Sequence, residues 1–284
     1  MKTLKKDTVL LERIETEYNQ IFVYSYKSYV KMKFRRYGRG KEYSESVINR
    51  NNPFELCNFY YKLISSLGIV YARNPKDLLM IGLGGGVFTG YLKRHMLDEI
   101  NITCVEIDPG VIAAAKKYFS VTDSPNYKLI AEDGRVFLSR NTSRFDIIIV
   151  DAYLGGFVPF HLTTQEFYQL IKKRLNPGGC AVFNFKPWSK LYDSNIVTLR
   201  SIFKDVVSFD DGRITVAYTT PISDEELKER AQVLQKRFNF YYDLQEIIKT
   251  PKYNIFDATA KILTDDFAPA NFLNAIKRYN ARSK

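Results

Sequence analysis

Three carboxylates in this chain each stand just past a short apolar run, and a glycine-rich turn precedes all of them. Glu106 ends the run Ile100–Ile107, Asp133 follows Tyr127–Ile130, and Asp151 follows Ile147–Val150. The turn, Gly82-Leu83-Gly84-Gly85-Gly86, follows the apolar Leu78–Ile81 and precedes the helix-like stretch Val87–His95. A nearly Cβ-free turn between strand and helix lets backbone amides approach a ligand closely, with positive φ where needed. The position that would complete GxGxxG is Val87. This disfavours a dinucleotide and favours a nucleoside such as S-adenosylmethionine.

The spacing of the acids agrees with that ligand. A carboxylate about 20 residues past the glycines, at the end of the second strand, is placed to hold a ribose by its two hydroxyls. Glu106 stands there, and Asp108 already fits the helix cap before Pro109. Asp133, beside the flat backbone of Gly134, is placed to accept from an adenine amino group, although an ordinary turn reads the same way. Asp151 has few structural reasons to follow so apolar a strand. Gly82, Gly84, Gly86, Glu106, Asp133 and Gly134 are therefore the candidate nucleoside contacts.

The elements that must position these residues alternate as a parallel sheet requires. Strands are expected at Leu78–Ile81, Ile100–Ile107, Tyr127–Ile130, Phe145–Val150, Cys180–Phe185, Val206–Phe209 and Arg213–Tyr218. Asp211-Gly212 turns the last two into an antiparallel hairpin, the closing pattern of class I methyltransferase-type domains. Helices are expected at Phe54–Leu67, opened by Pro53, and at Val87–His95, Pro109–Tyr118, Val136–Leu138, Thr164–Leu175 and Ser194–Phe203. Asn176-Pro177-Gly178-Gly179 reads as a helix stop and turn. Residues 223–250 read as one long amphipathic helix, and 251–284 as a closing segment with a basic end. Residues 10–48 alternate with period two and suggest a small β domain. The division is 1–52 for that domain and 53–284 for a Rossmann-like, mostly parallel seven-stranded α/β domain.

With 284 residues, 45% hydrophobic and 26% charged, the composition is that of a soluble globular protein. Net charge is +11, which suits an acidic partner, nucleic acid or simple solubility. Lys27, Lys31, Lys33, Arg35, Arg36, Arg39 and Lys41 interleave with Tyr26, Tyr29 and Tyr37. That is the best nucleic-acid candidate, but a solvated hairpin face is the favoured reading, with Gly38 and Gly40 marking its turn. Cys57, Cys104 and Cys180 lie far apart, and the last two sit in apolar runs as small buried hydrophobes. An odd cysteine count and a charged N-terminus with no apolar h-region point to the cytoplasm, with no membrane contact. No His/Cys cluster has metal spacing, so no metal is expected.

Taken together, these motifs resemble the spermidine synthase family, in particular a divergent spermidine synthase-like branch. Glu12–Ile21 is similar to the family's opening strand. Ile81–Gly86, Val105–Pro109, Asp133-Gly134, Asp146–Asp151 and Pro159–Phe167 match its main domain, and Leu263–Pro269 its closing segment. The resemblance implies transfer of an aminopropyl group from decarboxylated S-adenosylmethionine to a small-molecule amine, by a homodimer. It places Glu106 at the ribose, Asp133 at the adenine and Asp151 as the catalytic acid/base. Asn19, Tyr60, Tyr153, Asp265 and Asp266 are candidates for substrate contact. His161 reads as a structural hydrogen-bonding residue, His95 as a helix-surface residue, and Trp188 as a wall of the acceptor pocket or a cap on the core.

The chain also departs from the family pattern. Gly85 stands where the glycine loop of typical members carries an aspartate, Leu154 replaces the second aspartate of a DxxD pair, and Asn19 replaces a glutamine. An amine of pKa ~10.4 must lose a proton before attack, at about 4–5 kcal/mol at pH 7. Asp151 could receive it, but a long cationic tail needs further acids. Two rival readings stay open: a methyltransferase using intact S-adenosylmethionine, and a non-catalytic nucleoside- or RNA-binding module.

Overall fold

The computed structural model describes residues 7–37, 43–154 and 157–266, with backbone alone at 43–45. The N-terminal alternation forms an antiparallel sheet in the order β1 (Val9–Glu15), β2 (Gln20–Tyr26), β3 (Tyr29–Arg35), β4 (Tyr43–Asn49). Ile21, Val23, Val30 and Met32 are buried on its inner face. On the other face Lys33 lies 5.2 Å from the Tyr24 ring centroid and Arg35 4.7 Å from that of Phe22. The expected turn at Gly38 and Gly40, with Arg39 and Lys41, lies outside the described residues.

The second sheet takes β5 (Asp77–Ile81), β6 (Asn101–Glu106), β7 (Tyr127–Ala131), β8 (Phe145–Val150), β9 (Leu175–Asn184), β10 (Asp205–Phe209), β11 (Ile214–Tyr218) and β12 (Lys252–Tyr253). Their spatial order is β12-β10-β11-β9-β8-β5-β6-β7. The run from β9 to β7 is parallel, while β11, β10 and β12 are antiparallel, so the closing hairpin is present. This is the Rossmann-like fold expected, with a two-residue edge strand added to the seven. Both faces are covered: Leu78, Met80, Ile147 and Ile149 pack on one side, Leu79, Ile81, Ile148 and Val150 on the other. Strands buried on both faces read as continuous apolar runs.

The covering helices are α1 (Phe59–Tyr71), α2 (Val87–Met96), α3 (Pro109–Tyr118), α4 (Gly134–Arg140), α5 (Gln165–Arg174), α6 (Tyr192–Ile202), α7 (Asp224–Phe238) and α8 (Leu244–Ile248). Three differ from the sequence expectation. The first helix starts at Phe59, not Phe54, because Asn52 captures the Phe54 amide at 3.2 Å and closes a turn there. The span 223–250 is two helices, since Asn239 adopts φ 46° and ends α7. Asn176–Gly179 is a bulge inside β9: the register against β8 jumps from Leu175 to Cys180. Its polar groups are satisfied, with Asn176 Nδ2 donating to Asp146 and the Gly178 amide to Thr219.

Cys104 and Cys180 are buried and Cys57 half-buried, all as free thiols. Among the described residues no helix is long and apolar enough to cross a membrane. The two sheets meet where Thr16 donates to Asp108 Oδ2 at 2.7 Å, and Asp108 in turn caps α3 through the Gly110 amide.

Candidate active site

β5 has β6 on one side and β8 on the other, and the chain reverses direction of travel between them. Open α/β sheets bind ligands at the carboxyl ends of strands at such a switch point. A cavity opens there, lined by Gly82, Gly84, Glu106, Asp133, Gly134 and Asp151 and, from the N-terminal sheet, by Asn19 and Ser46. Tyr60 and Tyr153 also line it. Gly86 does not: it sits behind as the N-cap of α2. Gly82 has φ 88°, and a Cβ there would stand 2.6 Å from the Asp151 carbonyl. The turn can thus lie against the end of β8 only with glycine at this position.

Glu106 holds the turn from the other side. Its Oε2 accepts from the Leu83 amide at 2.8 Å and its Oε1 from the Asp108 amide at 3.1 Å. Burial pushes its carboxyl above the usual range against the pull of those amides. A half-buried carboxylate at the cavity wall suits a pair of sugar hydroxyls. Asp133 is more fully engaged. Its Oδ1 caps α4 through the amides of Arg135 and Val136, each at 2.9 Å. Its Oδ2 accepts from His161 Nε2 at 2.9 Å, and that contact leads in holding its carboxyl below the usual range. His161 lines the cavity through this bond, which agrees with a structural role.

Asp151 hangs from the last residue of β8, its amide donating to Ile81 at 2.9 Å. Burial pushes its carboxyl up to about 6, opposed first by a 2.7 Å hydrogen bond from Asn184 Nδ2 and then by the charges of Arg213 and Lys186. A carboxylate poised there can accept a proton near neutrality.

A model of the spermine/spermidine synthase domain matches residues 57–211, a span that holds the glycine turn and all three acids. The chain belongs to the spermine/spermidine synthase family. It is 31% identical over 226 residues to a polyamine aminopropyltransferase of Vibrio vulnificus, covering 76% of this chain and 75% of the relative. A polyamine aminopropyltransferase of Chromobacterium violaceum is 28% identical over 212 residues, covering 72% and 80%. A crystal structure described as a probable spermidine synthase from Corynebacterium glutamicum superposes with TM-score 0.65 at 20% identity, over 89% of this chain and 98% of that one. Family membership makes this chain a transferase of the aminopropyl type.

Against that family the structure gives the departures a physical form. The Gly85 amide donates to Ser46 Oγ at 2.7 Å, and a Cβ at Gly85 would lie 2.6 Å from the Phe119 ring. The loop is therefore closed against β4 and α3 where other members carry an acid. Leu154 lines the cavity. Asp265 is paired with Arg135, whose Nη1 lies 2.8 Å from Oδ1, so it is turned to the protein rather than to the cavity. Neither Asp265 nor Asp266 is among the cavity-lining residues.

Other placements correct the sequence reading. Trp188 is 76% exposed and neither caps the core nor lines this cavity. His95 is half-buried among Phe54, Tyr91 and Phe240 rather than on a helix surface. Sequence reasoning missed Asn184, although a polar residue ending an apolar strand is the same signal that marked Asp151. It also missed Ser46, which nothing local distinguishes. Among the described residues no group of three His, Cys, Asp or Glu is placed to hold a metal.

Proposed function

We propose that the cavity binds decarboxylated S-adenosylmethionine and an amine, and that Asp151 takes the proton released when they react. The amine nitrogen attacks the methylene carbon next to the sulfonium, the carbon–sulfur bond breaks, and methylthioadenosine leaves uncharged. Asp151 takes the proton that the acceptor's ammonium must lose before attack, and the product leaves as a secondary ammonium. Glu106 would hold the ribose and the Asp133–Gly134 turn the adenine edge, with Gly82 and Gly84 letting the backbone lie against the nucleoside. The observation that carries this reading is Asp151 itself, half-buried at the switch point with its carboxyl at about 6.

We read residues 1–52 and 53–284 as two domains, the first supplying Asn19 and Ser46 to the cavity wall. The family resemblance also leads us to expect a homodimer in the cytoplasm. The test is chromatographic detection of methylthioadenosine after mixing the protein with decarboxylated S-adenosylmethionine and candidate amines. Methyl transfer from intact S-adenosylmethionine, with no methylthioadenosine formed, would overturn the proposal.

A further inference from the structure

The donors that hold Asp133 come from two segments of chain. The amides of Arg135 and Val136, in the first turn of α4, donate to its Oδ1 at 2.9 Å. His161 Nε2, from the short turn Phe160–Leu162, stands 2.9 Å from its Oδ2. The Asp133 carboxyl lies below its usual range, so it is ionised at neutral pH and Nε2 carries the proton of this bond. A carboxylate offers about four lone-pair sites. The two amides occupy Oδ1, and the site left over is on Oδ2, whose direction His161 sets. An N-cap needs only the amides. The imidazole adds nothing to the helix and fixes the oxygen that α4 does not use.

The His161 turn is itself firmly held. The Leu162 amide donates to Pro159 at 2.9 Å, the Thr163 hydroxyl to Phe160 at 2.7 Å, and Leu162 is buried. Arg135 closes a ring around the pair: its amide serves Asp133, while its Nη1 donates to the His161 carbonyl at 2.9 Å. The same guanidinium is clamped from behind by Asp265 at 2.8 Å and by Thr164 Oγ1 at 3.3 Å. Asp265 is anchored in turn to α5, its amide donating to Glu166 at 3.0 Å. The closing segment, remote in sequence, thus bears on the carboxylate through Arg135 and His161. Asp133, Gly134 and His161 all line the cavity.

We propose that His161 is a positioning residue for the purine of the donor: it aims Asp133 Oδ2 at the 6-amino group, so that the site takes a 6-aminopurine and disfavours a 6-oxopurine. This rests on the assignment of Asp133 to the adenine edge made above. A 6-oxopurine would set an acceptor against the carboxylate and leave both unpaired, which is how a polar site rejects a near-isostere.

The test is titration calorimetry of the full chain with methylthioadenosine and methylthioinosine, which carry the 6-amino and the 6-oxo group. The wild type should prefer methylthioadenosine by about a hundredfold or more. His161→Leu, similar in volume but without a donor, should cut that preference about tenfold, chiefly by weakening methylthioadenosine. His161→Gln places an amide N–H near the position of Nε2 and should restore most of the preference. Asp265→Asn, which loosens Arg135 without touching the imidazole, should give a smaller loss in the same direction. A preference that neither His161→Leu nor Asp265→Asn moves, or a loss shared equally by both nucleosides, would overturn the proposal. A wild type that binds the two nucleosides alike would mark a different failure, that of Asp133 as the adenine contact.

Discussion

Asn184 Nδ2 donates to Asp151 Oδ1 at 2.7 Å, joining the carboxyl ends of two neighbouring strands at the cavity floor. Asn184 is buried and its Oδ1 accepts from Arg213 Nε at 3.3 Å, so both ends of the side-chain amide are held. The bond aims the carboxylate and holds its pKa down against burial. Asn184→Ala should therefore move the acid limb of the rate profile upward and slow turnover, because a charge-assisted bond of roughly 1.5–3 kcal/mol is lost. A pH–rate profile checks this. A uniformly slower enzyme with an unmoved limb would reduce Asn184 to a packing role.

The wild-type limb should itself lie near 6, where the Asp151 carboxyl ionises. Activity at saturating substrate should fall about tenfold per pH unit below that point. Stability should show the opposite sign. The folded value is raised, so stability tied to this group is full below the ordinary carboxylate range and is lost as pH rises through about 6. Asp151→Asn keeps an acceptor for Asn184 and removes that slope. Thermal melts between about pH 4 and pH 7 should show the variant gaining on wild type as pH rises.

Glu106 ties β6 to the glycine turn, and in our proposal its remaining lone pairs hold the ribose. Glu106→Ala should weaken methylthioadenosine binding by about 2–4 kcal/mol, with charged hydrogen bonds of ~1.5–3 each and incomplete additivity. Titration calorimetry reads this directly. Methylthioadenosine should also raise the melting temperature of the wild type, as any native-state ligand must. Unchanged affinity in the variant would remove Glu106 from the nucleoside site.

Gly134 packs so closely on β5 that a Cβ there would stand 2.3 Å from Ile81 Cγ2. That atom is the near end of a buried strand side chain and cannot step aside. Gly134→Ala should destabilise by about 1–3 kcal/mol through overpacking. Combined with Ile81→Ala, the two costs should sum to less than their separate values, which a denaturation cycle would measure. Strict additivity would mean that α4 shifts freely away from the sheet.

The basic face of the N-terminal sheet should bind RNA weakly, with affinity falling steeply as salt rises. Lys33 and Arg35 already lie over Tyr24 and Phe22, and Lys27 over Tyr26, so these rings are covered by the chain's own cations. Filter binding across a salt series checks this. Tight binding that survives high salt would reverse the assignment.

Much of this site was legible in the sequence because Glu106 and Asp151 stand at the ends of apolar strands and Asp133 just past β7. Ile147 to Val150 can only be a central strand, and a strand of known direction places Asp151 at one edge of the sheet. Glu106 followed from its spacing to the glycines in the same way. The rest depends on residues far apart in the chain. Ser46 reaches Gly85 from another sheet, and Arg213 reaches Tyr60 from the closing hairpin. Local competition hid other features: Asn52 diverts the chain before α1, and Asn239 divides a stretch whose apolar period continues across it. Asp265 looked available to a polyamine because nothing in its own neighbourhood foretells Arg135.

The central claim, that Asp151 receives the proton of the attacking amine, is tested most directly by one variant measured two ways. Asp151→Asn preserves the shape of the side chain and its contact with Asn184 but cannot take the proton. Its affinity for methylthioadenosine should match that of the wild type, while turnover at saturating donor and amine should fall by roughly 10²–10⁴. Lost nucleoside affinity with turnover unchanged at saturation would contradict the account, making Asp151 a binding residue and placing the base elsewhere.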